Sequence, residues 1–179
     1  IAEAIRRSGI ADGALRINWS RGSGGRGLQP PSQAKGRCWG SLHPHQPSFQ
    51  RQQVVISERV QRWADDPLKG CKTLDYSAMV LARLEASQAG ASDVLLRSSQ
   101  GGLCCGSSAN LLVQEGGQWL TPPLSSGALP GVMRARGVAM GLIQEARLAD
   151  SLPNEQPALL LNSLDCRPLN HIAEPLAEP

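Results

Sequence analysis

Lys72 has the setting that most invites covalent chemistry. It follows a turn running from Asp65-Asp66-Pro67 to Cys71 and precedes Asp75-Tyr76, where a helix is expected to begin. A lysine nucleophile has to shed its proton near neutrality, so its ordinary pKa of about 10.4 must be lowered by burial or neighbouring positive charge. Plain solvation is the commoner state of a lone lysine after a turn. A second candidate is Leu129-Pro130-Gly131-Val132-Met133-Arg134. A glycine ahead of a helix lets backbone amides approach an anion that the helix dipole favours. The same residues also suit an ordinary loop-to-helix junction. The third is RGSGGRG, residues 21–27, where Arg21 and Arg26 could grip carboxylates or phosphates in bidentate fashion. A solvated, flexible turn is the alternative there, and one RGG copy argues little for RNA. Cys104-Cys105 could be reactive thiols or buried small hydrophobes. His43-Pro44-His45 has no acidic or cysteine partner spaced for a metal, so a surface loop and no metal are expected.

These groups need elements to hold them. Ile1 to Ser8 reads as the tail of a helix closed by Gly9. Ala14 to Ser20 alternates apolar and polar residues as a half-buried strand does. Residues 30–50, rich in Pro, Gln, Ser and His, are expected to be a loop. Gln53 to Ser57 is a strand. Tyr76 to Ala89 is the clearest helix, with Val80, Leu81 and Leu84 on one face and Gly90 behind it. Strands are expected at Asp93–Arg97, Asn110–Val113 and Gln118–Leu120, the last two joined by a hairpin at Glu115-Gly116-Gly117. A helix from Val132 to about Leu148 follows, and then a buried strand at Ala158–Leu161. Strands grouped around a few helices predict an α+β fold with a largely antiparallel sheet.

Composition narrows the classes of function. The chain has 179 residues, 41% of them apolar, enough for a real core. No run of eighteen apolar residues is present, so no membrane span is expected. Eighteen basic against fifteen acidic residues leave a formal charge of +3, too mild to argue for nucleic acid. Five cysteines without CxxC spacing speak against a disulfide framework or structural zinc and for a reducing cytoplasm. The chain opens on IAEAIRRSG without Met or a signal peptide, and is expected to be a fragment lacking an N-terminal part.

Taken in order, RGSGGRG, KTLDY opening the VLARLEA helix, CCGSSANLLV, and TPPLSSGALPGVMR resemble the class IV aminotransferases, the fold-type IV enzymes that use pyridoxal phosphate (PLP). The resemblance runs from about Ala14 to Ser163, and the RGSGGRG loop looks most like the aminodeoxychorismate lyase branch. That branch releases pyruvate and yields 4-aminobenzoate for folate synthesis. The resemblance implies a remnant of a smaller N-terminal α/β lobe over residues 1–52 and a PLP-binding domain over residues 53–179. Lys72 matches the lysine that carries the cofactor and later shuttles a proton, and Tyr76 the tyrosine on the cofactor's phenolic oxygen. Gly131, Val132 and Met133 match the helix start that holds the phosphate, with Asn162 and Ser163 near a second phosphate-binding turn. Arg26 matches a substrate-facing arginine that holds a carboxylate, while Arg21 shapes the loop. Cys105 stands where the family has a glutamate paired with the ring nitrogen, a departure that weakens transamination more than the lyase reaction. The resemblance further implies a small-molecule substrate and a homodimer. Branched-chain or D-amino-acid aminotransferase activity, or a degenerate paralogue, are the other readings.

Overall fold

The computed structural model describes residues 2–173, which fall into two compact units that divide between Pro47 and Ser48. In the first, α1 (Ala2–Ser8) is a short helix whose Glu3 pairs with Arg6 and, at 2.7 Å, with Arg7. Gly9 ends it with φ +69°, a left-handed conformation that favours glycine. β1 (Gly13–Ser20) then pairs antiparallel with β2 (Arg37–Pro44), in register from Gly13 opposite Pro44 to Ser20 opposite Arg37. β2 corrects the expectation of a loop over residues 30–50. Its residues are exposed or half-buried, so no apolar alternation marks it, and pairing with β1 makes it a strand. RGSGGRG lies in the long connection between the two.

The second unit is built on one sheet. β3 (Gln52–Arg62) is followed by α2 (Ser77–Gln88), β4 (Asp93–Ser98), β5 (Leu103–Gly106), β6 (Asn110–Glu115) and β7 (Gln118–Thr121). A single 3-10 turn at Leu124–Ser126 leads to α3 (Val132–Ala139), β8 (Ile143–Glu145), β9 (Ala158–Leu161) and β10 (Cys166–Ala173). Across the sheet the order is β5-β4-β3-β10-β9-β6-β7-β8, and β6 also meets β5 at Cys105 opposite Asn110. The first six strands thereby close on themselves, while β7 and β8 extend from the far end of β6. Pairings of β3 with β4 and β10, and of β7 with β8, are parallel, and the rest are antiparallel. This is the α+β, mostly antiparallel arrangement expected.

Alternate residues of the strands face two cores. Val54, Ile56, Leu95, Leu103, Leu111 and Leu160 pack on one side, and Val55, Val94, Leu96 and Cys104 join Ala82 and Ala86 of α2 on the other. The buried face of α2 is therefore its alanine stripe, not Val80, Leu81 and Leu84, each more than half exposed. Small side chains let the helix settle close on β3 and β4, and Glu85 reaches down from it. That carboxylate accepts from the Ser57 hydroxyl at 2.6 Å and the Glu58 amide at 2.8 Å. The β6–β7 hairpin turns through Gly116 and Gly117, both at positive φ, as a tight primed turn requires.

α3 also departs from expectation, stopping at Ala139 instead of running to Leu148. Gly141 takes φ +71°, and a Cβ on Gly137 would stand 2.3 Å from Ile143 Cδ1. The chain thus folds back from the helix onto β8, which pairs with β7. β3 extends five residues beyond Ser57, to Arg62, and β5 and β10 were not anticipated.

Candidate active site

A cavity of about 550 Å³ opens in the second unit where the end of β3, the loop before α2, the β5–β6 connection and the start of α3 converge. Lys72 and Tyr76 lie on its wall, with the Lys72 ammonium over the Tyr76 ring at 5.6 Å from the centroid. Asp75, between them, opens α2. Its Oδ1 accepts the Ser77 amide at 3.0 Å and the Ser77 hydroxyl as well, and these bonds hold its carboxyl below the usual range.

Opposite in chain order, α3 presents its N-terminus. Gly131 is the capping residue, with φ −65° and ψ 139°, and its carbonyl accepts the Ala135 amide at 2.9 Å. The first-turn amides beyond it have no partner within the helix, an arrangement that can take an anion. Glycine is required here by close approach, since a Cβ would stand 2.0 Å from Asn110 Oδ1. Asn110 in turn donates Nδ2–H to the Leu129 carbonyl at 2.9 Å, fastening the loop before α3 to β6. Arg134, one turn in and buried, donates to the Pro122 carbonyl at 2.7 Å and pairs with Glu145 of β8.

The cavity brings together Lys72, Tyr76, Cys105, Gly131, Val132, Asn162 and Ser163. Asn162 builds a turn: its Oδ1 accepts the amides of Leu164 at 2.8 Å and Asp165 at 2.9 Å, while its amide reaches the Ser108 carbonyl at 3.4 Å. Of the other expected site residues, one is absent from that lining and one belongs to the first unit. Met133 stands on the first turn of α3, outside the cavity lining. Arg26 is exposed on the β1–β2 connection of the first unit.

Sequence reasoning overlooked three contributors. Arg62, at the end of β3, lies on the cavity wall with Nε–H donated to the Gly127 carbonyl at 3.0 Å. Asn110 looked only like the start of a strand. Asp93 is fully buried at the head of β4 and accepts the Ser107 hydroxyl at 2.6 Å, with Arg83 at 3.3 Å and Arg167 at 3.6 Å. A carboxylate opening the apolar run DVLL was the available signal, because a buried charge needs partners. Cys105 is buried too. The Cys104 sulfur beside it, followed by burial, pushes its thiol well above the ordinary value, so it is neutral at physiological pH.

The residues fit a phosphorylated pyridine aldehyde at two points: a lysine amine for the carbonyl carbon and a glycine-gated helix start for the phosphate. Cys105 adds a thiol to the same lining.

The model of the family described as amino-transferase class IV matches residues 1–172. A Methanocaldococcus jannaschii protein with the provisional name branched-chain-amino-acid aminotransferase is 28% identical over 136 residues, 75% of this chain and 47% of that one. A Schizosaccharomyces pombe protein with the provisional name aminodeoxychorismate lyase is 36% identical over 85 residues, 45% of this chain and 37% of that one. The chain thus spans less than half the length of either relative. Among solved structures, one provisionally named 4-amino-4-deoxychorismate lyase from Legionella pneumophila superposes with a TM-score of 0.84 at 23% identity, covering 99% of this chain and 69% of that one. At that identity the likeness speaks for the fold.

Proposed function

We propose, from the premise that the chain belongs to the class IV aminotransferase family, that it forms the cofactor-binding part of a PLP-dependent lyase. Its reaction would convert 4-amino-4-deoxychorismate to 4-aminobenzoate and pyruvate. One observation supports the reading: Lys72, Cys105 and the start of α3 share one cavity. PLP, when bound, supplies an electron-accepting ring that weakens bonds at the amine-bearing carbon of a substrate. A lyase that makes an aromatic ring draws driving force from its product and asks less of that acceptor.

The chain's own groups would then divide the work. The amides at the start of α3 hold the phosphate, and the Gly131–Asn110 contact fixes where they point. Lys72 Nζ would hold the cofactor's carbonyl carbon and serve as the group that moves a proton. The Tyr76 hydroxyl would serve the cofactor's phenolic oxygen as a hydrogen-bond donor. Arg26 supplies a guanidinium for a substrate carboxylate, giving rate through positioning. A homodimer belongs to the same reading.

Borohydride reduction of the protein with PLP, followed by peptide mass spectrometry, tests it. A phosphopyridoxyl group on Lys72 is expected, and its absence would leave the degenerate paralogue. The M. jannaschii relative, matched over three quarters of the chain, favours an aminotransferase as the second reading. Release of 4-aminobenzoate against turnover with 2-oxoglutarate separates the two.

A further inference from the structure

The wall formed by β5, the start of β6 and the loop between them carries three polar side chains that are not exposed, and two are already committed. Asn110 donates to the Leu129 carbonyl and fills the space beside Gly131 with its Oδ1. Ser107 donates its hydroxyl to Asp93. The third is Cys105, 7% exposed and on the cavity lining.

The charges around Cys105 have one sign to spare. Arg62 lies on the same cavity wall, and among the described residues no carboxylate pairs with it. Asp93, the nearest carboxylate by strand order, is shared between Arg83 and Arg167. Asp75, on the lining, is spent on the start of α2. Arg134 is turned to Pro122 and Glu145. The cavity lining thus offers a thiol, a guanidinium and no uncommitted carboxylate.

We propose that this chain binds PLP with the ring nitrogen unprotonated, accepting the Cys105 S–H, and that Arg62 is the positioning charge that keeps the proton off. The inference rests on the PLP reading above. A protonated ring nitrogen would turn its N–H toward an S–H donor, and its charge toward an unpaired guanidinium. The neutral nitrogen accepts from the thiol and leaves Arg62 unopposed. A neutral thiol suits this role because it has a proton to give, which it would turn from the Cys104 sulfur beside it to the ring. The consequence is chemical. An unprotonated ring draws electrons weakly, so the site suits substrates whose product supplies the driving force, as a newly aromatic ring does.

The experiment loads the chain with PLP labelled with 15N at the ring nitrogen and reads that nucleus by NMR, without substrate. A resonance in the neutral-pyridine range at pH 7 is expected, moving to the pyridinium range in Cys105→Glu. In Arg62→Leu, the pH at which the resonance turns over should rise by about one unit or more, the usual effect of one neighbouring charge. A pyridinium resonance in the unaltered chain overturns the inference while leaving PLP binding intact, whatever the folding of the variants. An unmoved resonance in a folded Cys105→Glu removes Cys105 from the role, and an unmoved turnover in Arg62→Leu removes Arg62. Failure to reduce PLP onto Lys72 overturns the proposed function and this inference with it.

Discussion

Asn110 Oδ1 lies 2.0 Å from where a Gly131 side chain would begin, and the same amide group donates to the Leu129 carbonyl two residues before that glycine. β6 and the start of α3 are thus locked at a separation that only glycine allows.

Gly131→Ala should force Asn110 aside and break its bond to Leu129. The expected cost is about 1–3 kcal/mol of stability, with weakened PLP binding. Urea unfolding and PLP titration measure both. Asn110→Ala opens the space the alanine needs, so the double variant should lose less than the sum of the two singles.

Asp93→Ala leaves Arg167, only 16% exposed, with its carboxylate gone, and unfastens Ser107 from the head of β4. Removing one partner from such a buried cluster costs about 3–5 kcal/mol. Arg83, nearly half exposed, is the contrasting case: Arg83→Ala should cost under about 1 kcal/mol. Chemical denaturation of the two variants decides whether the buried carboxylate or the count of ion pairs matters.

Arg134 ties α3 to the loop after β7 and to β8. Arg134→Ala should cost about 2–3 kcal/mol through its lost carbonyl bond and packing, since the Glu145 carboxylate left behind is solvated. Glu145→Gln keeps the packing and should stay within about 1 kcal/mol. Thermal melts of the pair test the ranking.

The raised thiol of Cys105 sets a pH dependence of stability. Native Cys105 keeps its proton where the unfolded chain's thiol, at about 8.5, has lost it. Below that pH both states are protonated and the group contributes no slope. Above it the native state binds more protons than the unfolded one, so stability falls as pH rises, by up to about 1.4 kcal/mol per unit. The Cys104 thiol is lowered by the same sulfur contact and offsets Cys105 in the unaltered chain. The contrast to measure, by denaturation between pH 7 and 10, is therefore between Cys104→Ala and the Cys104→Ala/Cys105→Ala double variant. Above about pH 8.5 the single variant, whose Cys105 is still raised by burial, should lose stability more steeply with pH.

Much of this was legible in the residues. Gly9 and the Gly116-Gly117 pair announce their turns because they take conformations that side chains resist. The strands at β4, β6 and β9 show as apolar runs, and the order of Lys72, Cys105 and Gly131 along the chain pointed to one cofactor. Other elements carry no such mark. β2 is a strand only because β1 lies beside it. α2 has long aliphatic residues on one face and alanines on another, and close packing on the sheet chose the alanines. α3 reads as a longer helix until Gly137 meets Ile143.

The sequence by itself determined local geometry and the inventory of reactive groups, because turns, caps and strand propensity depend on residues a few positions apart. Only the tertiary structure decided what surrounds each group. The closure of β5 on β6 sets Cys105 opposite Asn110, and the far end of β3 brings Arg62 to the same cavity, some forty positions away in the chain. Charge and burial act through space, so the protonation of a site follows from neighbours that no spacing along the chain reveals.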